Sequence, residues 1–133
     1  MYNPILLDHF QNPRNAGRLG DANGVGFLGD PDCGDFMCIF VRVDEWQVKD
    51  ISFLCRGCPA SIASASATTE LAKGKMVDEI VTLTPEHVAE YLGGMPEDKA
   101  HCSNLGVGAL RYAMADYLHS VLDEQPESET AEV

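Results

Sequence analysis

A chain of 133 residues with 45% hydrophobic content is long enough for one modest core and reads as a single globular domain rather than a disordered polymer. Its formal charge of −12, from 21 acidic against 9 Lys and Arg side chains, argues against a nucleic-acid binder, because nothing here neutralises a run of phosphates. No apolar run approaches the roughly 20 residues needed to span a bilayer, and the N-terminus lacks the basic flank and apolar block of an export signal. The expected setting is therefore the cytoplasm, with no membrane partner and with thiols kept reduced.

In chain order, "YNPILLDHF" brings Ile5, Leu6, His9 and Phe10 to helical spacing, and "QNPRNAGRLGDANG" then breaks the pattern with proline, glycine and asparagine. "GVGFLG" (24–29) fits a short edge strand. "FMCIFVRVD" (36–44) alternates cleanly, with Met37, Ile39, Val41 and Val43 on one face and Phe36, Cys38, Phe40 and Arg42 on the other. "EW" turns the chain into "QVKDISFLC", which completes an antiparallel hairpin.

"PASIASASATTELAKG" (59–74) reads as a helix, with Pro59 at its first position and Gly74 at its stop. Its serines and alanines make a thin rod that another surface can approach closely. "TPEHVAEYLGG" repeats the grammar, with Thr84 as N-cap, Pro85 at N1 and Gly93 as terminator. A last helix, about 103–122, carries Leu110, Ala113, Met114, Tyr117, Leu118 and Val121 as one apolar stripe. Asp123, Glu124, Glu127, Glu129 and Glu132 follow with no basic residue, so 123–133 is expected to be a solvated, disordered tail behind a domain of 1–122. Strands first and helices afterwards predict an α+β fold: a small antiparallel sheet of about three strands, with helices packed on one face.

Five cysteines, Cys33, Cys38, Cys55, Cys58 and Cys102, cannot all pair internally, so metal or sulfur chemistry is the first expectation in a reducing compartment. Cys33 precedes the first long strand, Cys58 starts the 59–73 helix and Cys102 stands directly before the last helix. Helix N-termini favour the thiolate, and Lys99 beside Cys102 should push the same way. Asp35 and His101 add a carboxylate and an imidazole. Three thiols with these two groups make the inventory of a four-coordinate metal or [2Fe–2S] site built from three loops.

Plainer readings stand beside this one. Cysteine is often a small buried apolar residue, the preferred account of Cys38 and Cys55. Cys55 and Cys58 form a C-x-x-C, but the β-α-β context of a redox dithiol is missing. His9, His87 and His119 fall on helical segments and read as surface or packing residues. Asp35, without the thiols, would be only a turn residue. No H-E-x-x-H helix or oxyanion loop supports a zinc- or thiol-dependent enzyme, and a zinc-stapled interaction domain is the remaining alternative.

"HFQNPRNAG", "CGD" at 33–35, "GCPASIASAS" at 57–66, "ELAKGK" at 70–75 and "HCS" at 101–103 occur here together and in this order. By these motifs the chain resembles the IscU/NifU-type iron–sulfur cluster assembly scaffold proteins, from "YNPILLDHFQNPRN" to "ALRYAMADYL". The resemblance implies a small α+β sandwich with the site at one exposed end. It also implies a scaffold rather than an enzyme. Cys33, Cys58 and Cys102 match the family's three functional cysteines, Asp35 the aspartate that tunes cluster lability, and His101 the histidine beside the third cysteine.

The implied activity is to take persulfide sulfur from a cysteine desulfurase and combine it with iron and electrons from a donor such as ferredoxin. A transient [2Fe–2S] cluster then passes to recipient apo-proteins; zinc occupies the same site in isolated members. Within that frame Cys102 is expected as sulfur acceptor, with Lys99 in support, and either Asp35 or His101 completes the coordination with Cys33 and Cys58. "MPEDK" (95–99) puts Glu97 and Asp98 where many bacterial members carry an apolar peptide read by an Hsp70-type chaperone, which argues against that partner here. The compact length and His101 set the chain apart from the SufU-like subgroup.

Overall fold

A computed structural model describes residues 2–30, 35–99 and 101–123, without the side chains of Asp30, Asp35 and Asp123. Its order is α1 (Pro4–Gln11), β1 (Gly24–Asp30), β2 (Asp35–Asp44), β3 (Gln47–Arg56), α2 (Pro59–Ala72), α3 (Val77–Ile80), α4 (Pro85–Tyr91), a 3-10 turn (Glu97–Lys99) and α5 (His101–Asp123). The three strands form one antiparallel sheet in the order β1-β2-β3. This is the α+β architecture expected, with α2 and α5 lying on the sheet and α1 and α4 packed behind them.

The alternation in β2 does what its pattern dictates. Met37, Ile39, Val41 and Val43 are all buried, and register pairs Met37 with Cys55, Ile39 with Phe53 and Val41 with Ile51, so one face of the hairpin is continuous core. Glu45 and Trp46 close the hairpin at φ of 54° and 63°, the left-handed geometry of a two-residue turn that matches strand twist. On β1 the inward positions include Gly24 and Gly26. A Cβ at Gly26 would meet the backbone of Ala109 and Ala113, so its absence lets α5 lie directly against the strand.

α2 is buried almost all round: Ala63, Ser64, Ala65, Ser66, Ala67, Thr68 and Thr69 are shielded from solvent. Its small side chains allow α1, α5 and β3 to close on it from different sides. A second apolar cluster, from Leu6, Ala63, Ala67, Val88, Leu92 and Val107, fills the space between the helices.

Helix caps follow the sequence grammar. The Thr84 hydroxyl accepts from the His87 N–H at 3.3 Å while His87 Nδ1 accepts from the Thr84 N–H at 3.1 Å, and Gly93 ends the segment at φ 81°. Of the α1 residues at helical spacing, Leu6 and His9 are buried, but Ile5 is half exposed and lies on the outer side. Leu118 likewise departs from the expected stripe of α5 and is 38% exposed. The short α3 and the 3-10 turn carry no periodicity that a sequence of this kind could show. α5 begins at His101, two residues before the expected start, and reaches Asp123, the first residue assigned to the tail; residues 124–133 lie outside the described residues.

Among the described residues, no helix is long and apolar enough to cross a membrane.

Candidate metal and sulfur site

The end of β3, the start of α2 and the start of α5 meet at one end of the fold. The register places Phe36 opposite Arg56 and Asp35 opposite Asp30 there, so β1 ends and β2 begins at this same end. Cys33 lies outside the described residues, and of Asp35 the backbone alone is described.

Cys58 is the N-cap of α2, in extended conformation before Pro59, and Cys102 is the second residue of α5. Their sulfurs, 44 residues apart in sequence, stand 3.9 Å from one another. His101 Nε2 lies 3.7 Å from the Cys102 sulfur, and its ring is otherwise exposed. Beside the pair, at the apex of a triangle with both sulfurs, sits the Ser61 hydroxyl, donating to Cys102 Sγ at 3.4 Å and lying 3.5 Å from Cys58 Sγ. Ser61 was not among the residues singled out by sequence. Its signal was its place one helical turn after Cys58, the i, i+3 position that faces the same way.

The two thiols differ. Cys102 has no solvent exposure, whereas Cys58 is half-buried and opens into a cavity of about 460 Å³. Leu28, Phe36 and Leu105 give that cavity an apolar wall, and Arg56 and Lys99 bring two cations to it. Cys55 and His101 line it as well, so Cys55 is a neighbour of the site and packs against the core beneath. Cys38 lies on the outer face of the sheet, half-buried, where desolvation raises its pKa.

Burial opposes the Cys58 thiolate, but hydrogen bonds from the Ser61 hydroxyl and N–H, from the Cys102 thiol and from the Ala60 N–H outweigh it, and its pKa falls below the usual thiol value. This agrees with the helix-start argument. For Cys102 burial works against that argument. Burial dominates and the negative charge of the neighbouring Cys58 adds to it, so the pKa is raised despite the Ser61 hydrogen bond and the Lys99 charge.

The remaining histidines are accounted for by packing and surface. His9 is buried with Nδ1 2.8 Å from the Ser66 hydroxyl, His87 caps α4 and His119 is exposed. Among the described residues, no group of three or more His, Cys, Asp or Glu side chains is gathered for a metal ion. What the described residues supply is part of a donor set: two soft thiols and an imidazole beside an open cavity. The chemistry of that set suits a soft or borderline metal such as iron or zinc.

The NifU-like N-terminal domain model matches residues 1–123. IscU 1 of Archaeoglobus fulgidus, an iron–sulfur cluster assembly scaffold protein, is 51% identical over 117 residues, which cover 88% of this chain and 76% of that one. The iron–sulfur cluster assembly scaffold protein IscU of Aquifex aeolicus is 46% identical over 119 residues, with the same coverage. The crystal structure of the N-terminal part of a NifU-like protein from Brucella abortus superimposes with a TM-score of 0.70 at 16% identity, covering 88% of this chain and 94% of that one, and so shares the fold. The chain belongs to the NifU-like N-terminal domain family.

Proposed function

We propose that this protein is an iron–sulfur cluster assembly scaffold, a holding and transfer protein with no substrate turnover of its own. In this reading it takes sulfur from a cysteine desulfurase and receives iron, and a donor such as ferredoxin supplies electrons. It holds a labile [2Fe–2S] cluster as cargo and releases it to recipient apo-proteins in the cytoplasm. Cys33, Cys58 and Cys102 are its sulfur ligands, Asp35 or His101 completes the set, and zinc takes the same place in isolated protein.

One observation carries this reading: thiols from two separate elements converge with an imidazole at the mouth of an open cavity, in a chain of this family. Four buried thiolates would hold a cluster firmly. A harder oxygen or an imidazole in place of one of them weakens the hold, and an open flank leaves room for a donor and a recipient. Glu97 and Asp98 are exposed on the turn before the site, which sets two carboxylates where an apolar-peptide-binding Hsp70 chaperone would have to dock.

Anaerobic reconstitution with ferrous iron, cysteine and a desulfurase tests the reading. A scaffold turns red-brown and then converts apo-ferredoxin to its holo form. A colourless protein that keeps zinc and donates nothing would be a zinc-stapled domain instead.

A further inference from the structure

The geometry points to a second working surface, at the opposite end of the sheet from the thiols. An apolar cleft between the β2–β3 turn and α3 docks a segment of another protein, one that carries a large apolar side chain flanked by lysine or arginine. The inference stands independently of the scaffold reading above.

The turn supplies the first observation. Asp44 pairs with Gln47, which leaves Glu45 and Trp46 as its two central residues, both at positive φ. Turns of this kind favour Asn-Gly or Asp-Gly, because a side chain crowds the backbone at left-handed φ. Glycine would suit the second position. It holds instead the single tryptophan of the chain, 52% exposed. Backbone strain kept in order to display an aromatic ring marks that ring as functional.

The cleft is also preformed. The Val77 N–H donates to the Trp46 carbonyl at 2.8 Å, and the Val48 N–H donates to the Lys75 carbonyl at 2.9 Å, so the chain entering α3 is tied to the hairpin. The Trp46 ring stands edge-on to Tyr117, with centroids 6.0 Å apart. With Met76, Val77, Asp78 and Val81 it lines a cleft of about 440 Å³, and Val81 is 69% exposed. A held tryptophan among aliphatic neighbours has the composition of an interface hot spot, and a fixed surface loses little entropy on binding.

Charge selects the occupant. Asp78 lines the cleft, Asp44 and Glu45 stand exposed beside it, and among the described residues no Lys or Arg lines it. Lys49 lies 3.9 Å from Glu45 and leaves the other two carboxylates uncompensated. A second copy of this chain, of charge −12, would set acidic rim against acidic rim. The chain's own residues 124–133 contain four glutamates and no Lys or Arg, and an anionic lipid surface meets the same repulsion. A basic segment from another protein is the occupant this field favours. From Asp35 to Asp44, β2 spans roughly 30 Å at about 3.3 Å per residue, so docking here leaves the thiol end open.

Trp46 is its own reporter. The full-length, metal-free protein is titrated with a short amphipathic Leu/Lys helical peptide, and with the same peptide carrying Glu for every Lys. The Lys peptide should shift Trp46 emission to the blue in a saturable, one-to-one titration that weakens several-fold at high salt. The Glu peptide should leave the emission unchanged. Val81→Ser should weaken binding about tenfold at an unchanged urea midpoint, and Trp46→Gly, followed by calorimetry, at least as much. Tyr112→Ser removes a similarly exposed side chain elsewhere on α5 and should bind like the parent. No saturable response, equal binding of both peptides, or equal loss in Val81→Ser and Tyr112→Ser would overturn the docking surface. A Trp46-dependent dimer in sedimentation would overturn it in favour of a second copy, and an emission shift with phosphatidylglycerol vesicles in favour of a membrane.

Discussion

Cys58 occupies a position where a different residue would serve the helix better. It is the N-cap of α2, where sulfur is only a weak acceptor for the N–H groups of the first turn. A serine hydroxyl there accepts from the N–H two or three residues on, an interaction worth about 1 kcal/mol. Cys58→Ser in the metal-free protein should therefore unfold at higher urea concentration, a gain of about 0.5–1 kcal/mol, while its affinity for zinc falls. A less stable variant would show that the sulfur is retained for packing. Asp35 carries the opposite kind of prediction. If its carboxylate keeps the cargo loosely held, Asp35→Ala should lengthen the lifetime of a reconstituted cluster, followed by visible absorption; a shorter lifetime would remove Asp35 from that role.

Residue types alone made these candidates legible, because thiols, an imidazole and a carboxylate beside element starts have few other uses in combination. What they could not reveal was relative burial. Cys102 and Cys58 look alike as helix-start cysteines, but α5 begins two residues early and carries Cys102 under the α2 N-terminus, where desolvation decides its titration. Ser61 carried only the signal of its spacing from Cys58: serine in an alanine-rich helix reads as filler until a sulfur from another element lies against it.

Among the elements, α5 depends on β1 having no side chain at Gly26. A methyl group there would press on the α5 backbone at Ala109 and Ala113, which cannot yield as a flexible side chain would. Overpacking of this kind costs about 1–3 kcal/mol or more. Gly26→Ala should lower the urea midpoint accordingly and weaken metal binding, because α5 carries Cys102. Unchanged stability would mean that strand and helix can separate at no cost.

The N-terminal helix has its own latch on α2. The buried His9 ring meets the Ser66 hydroxyl, which also accepts from the Arg14 N–H, and Asn15 donates to Thr69 Oγ1 and Glu70 Oε2. Burial pushes the His9 pKa down, with Arg14 acting the same way and Asp8 and Glu70 opposing. The unfolded chain thus takes up this proton more readily than the folded one. The stability that neutral His9 contributes is complete above the ordinary imidazole pKa of about 6.5 and is lost as pH falls through that value toward the depressed one. Urea midpoints measured from pH 7.5 to 5 should fall more steeply for the parent than for His9→Gln; parallel curves would contradict the latch.

The longer elements were legible because strand alternation and Thr-Pro…Gly-Gly punctuation are local signals. α3, with four residues, and the three-residue 3-10 turn were not, since neither is long enough to display a period. The half-exposed Ile5 and Leu118 show the same limit at helix margins, where neighbouring elements decide which side of a stripe is covered.

At the scale of the whole molecule, the fold gathers its chemistry at one end and leaves the rest to support it. The sheet and α2 form a packed floor, α5 brings Cys102 across from the far side of the sequence, and the cavity keeps one flank open. The acidic excess leaves the Arg56 and Lys99 cations at that cavity as a local exception in a chain of charge −12. A resident cofactor would call for enclosure; cargo calls for a floor and an open side. Convergence of three thiols is the physical condition on which the scaffold account depends.

Counting sulfur atoms around a probe metal tests that condition most directly. Metal-free protein loaded with one equivalent of zinc and measured by X-ray absorption should show three sulfur neighbours at about 2.3 Å with one nitrogen or oxygen, and Cys33→Ser should remove one of the three. Two sulfur neighbours in the parent, or a Cys33→Ser spectrum identical to it, would contradict the account.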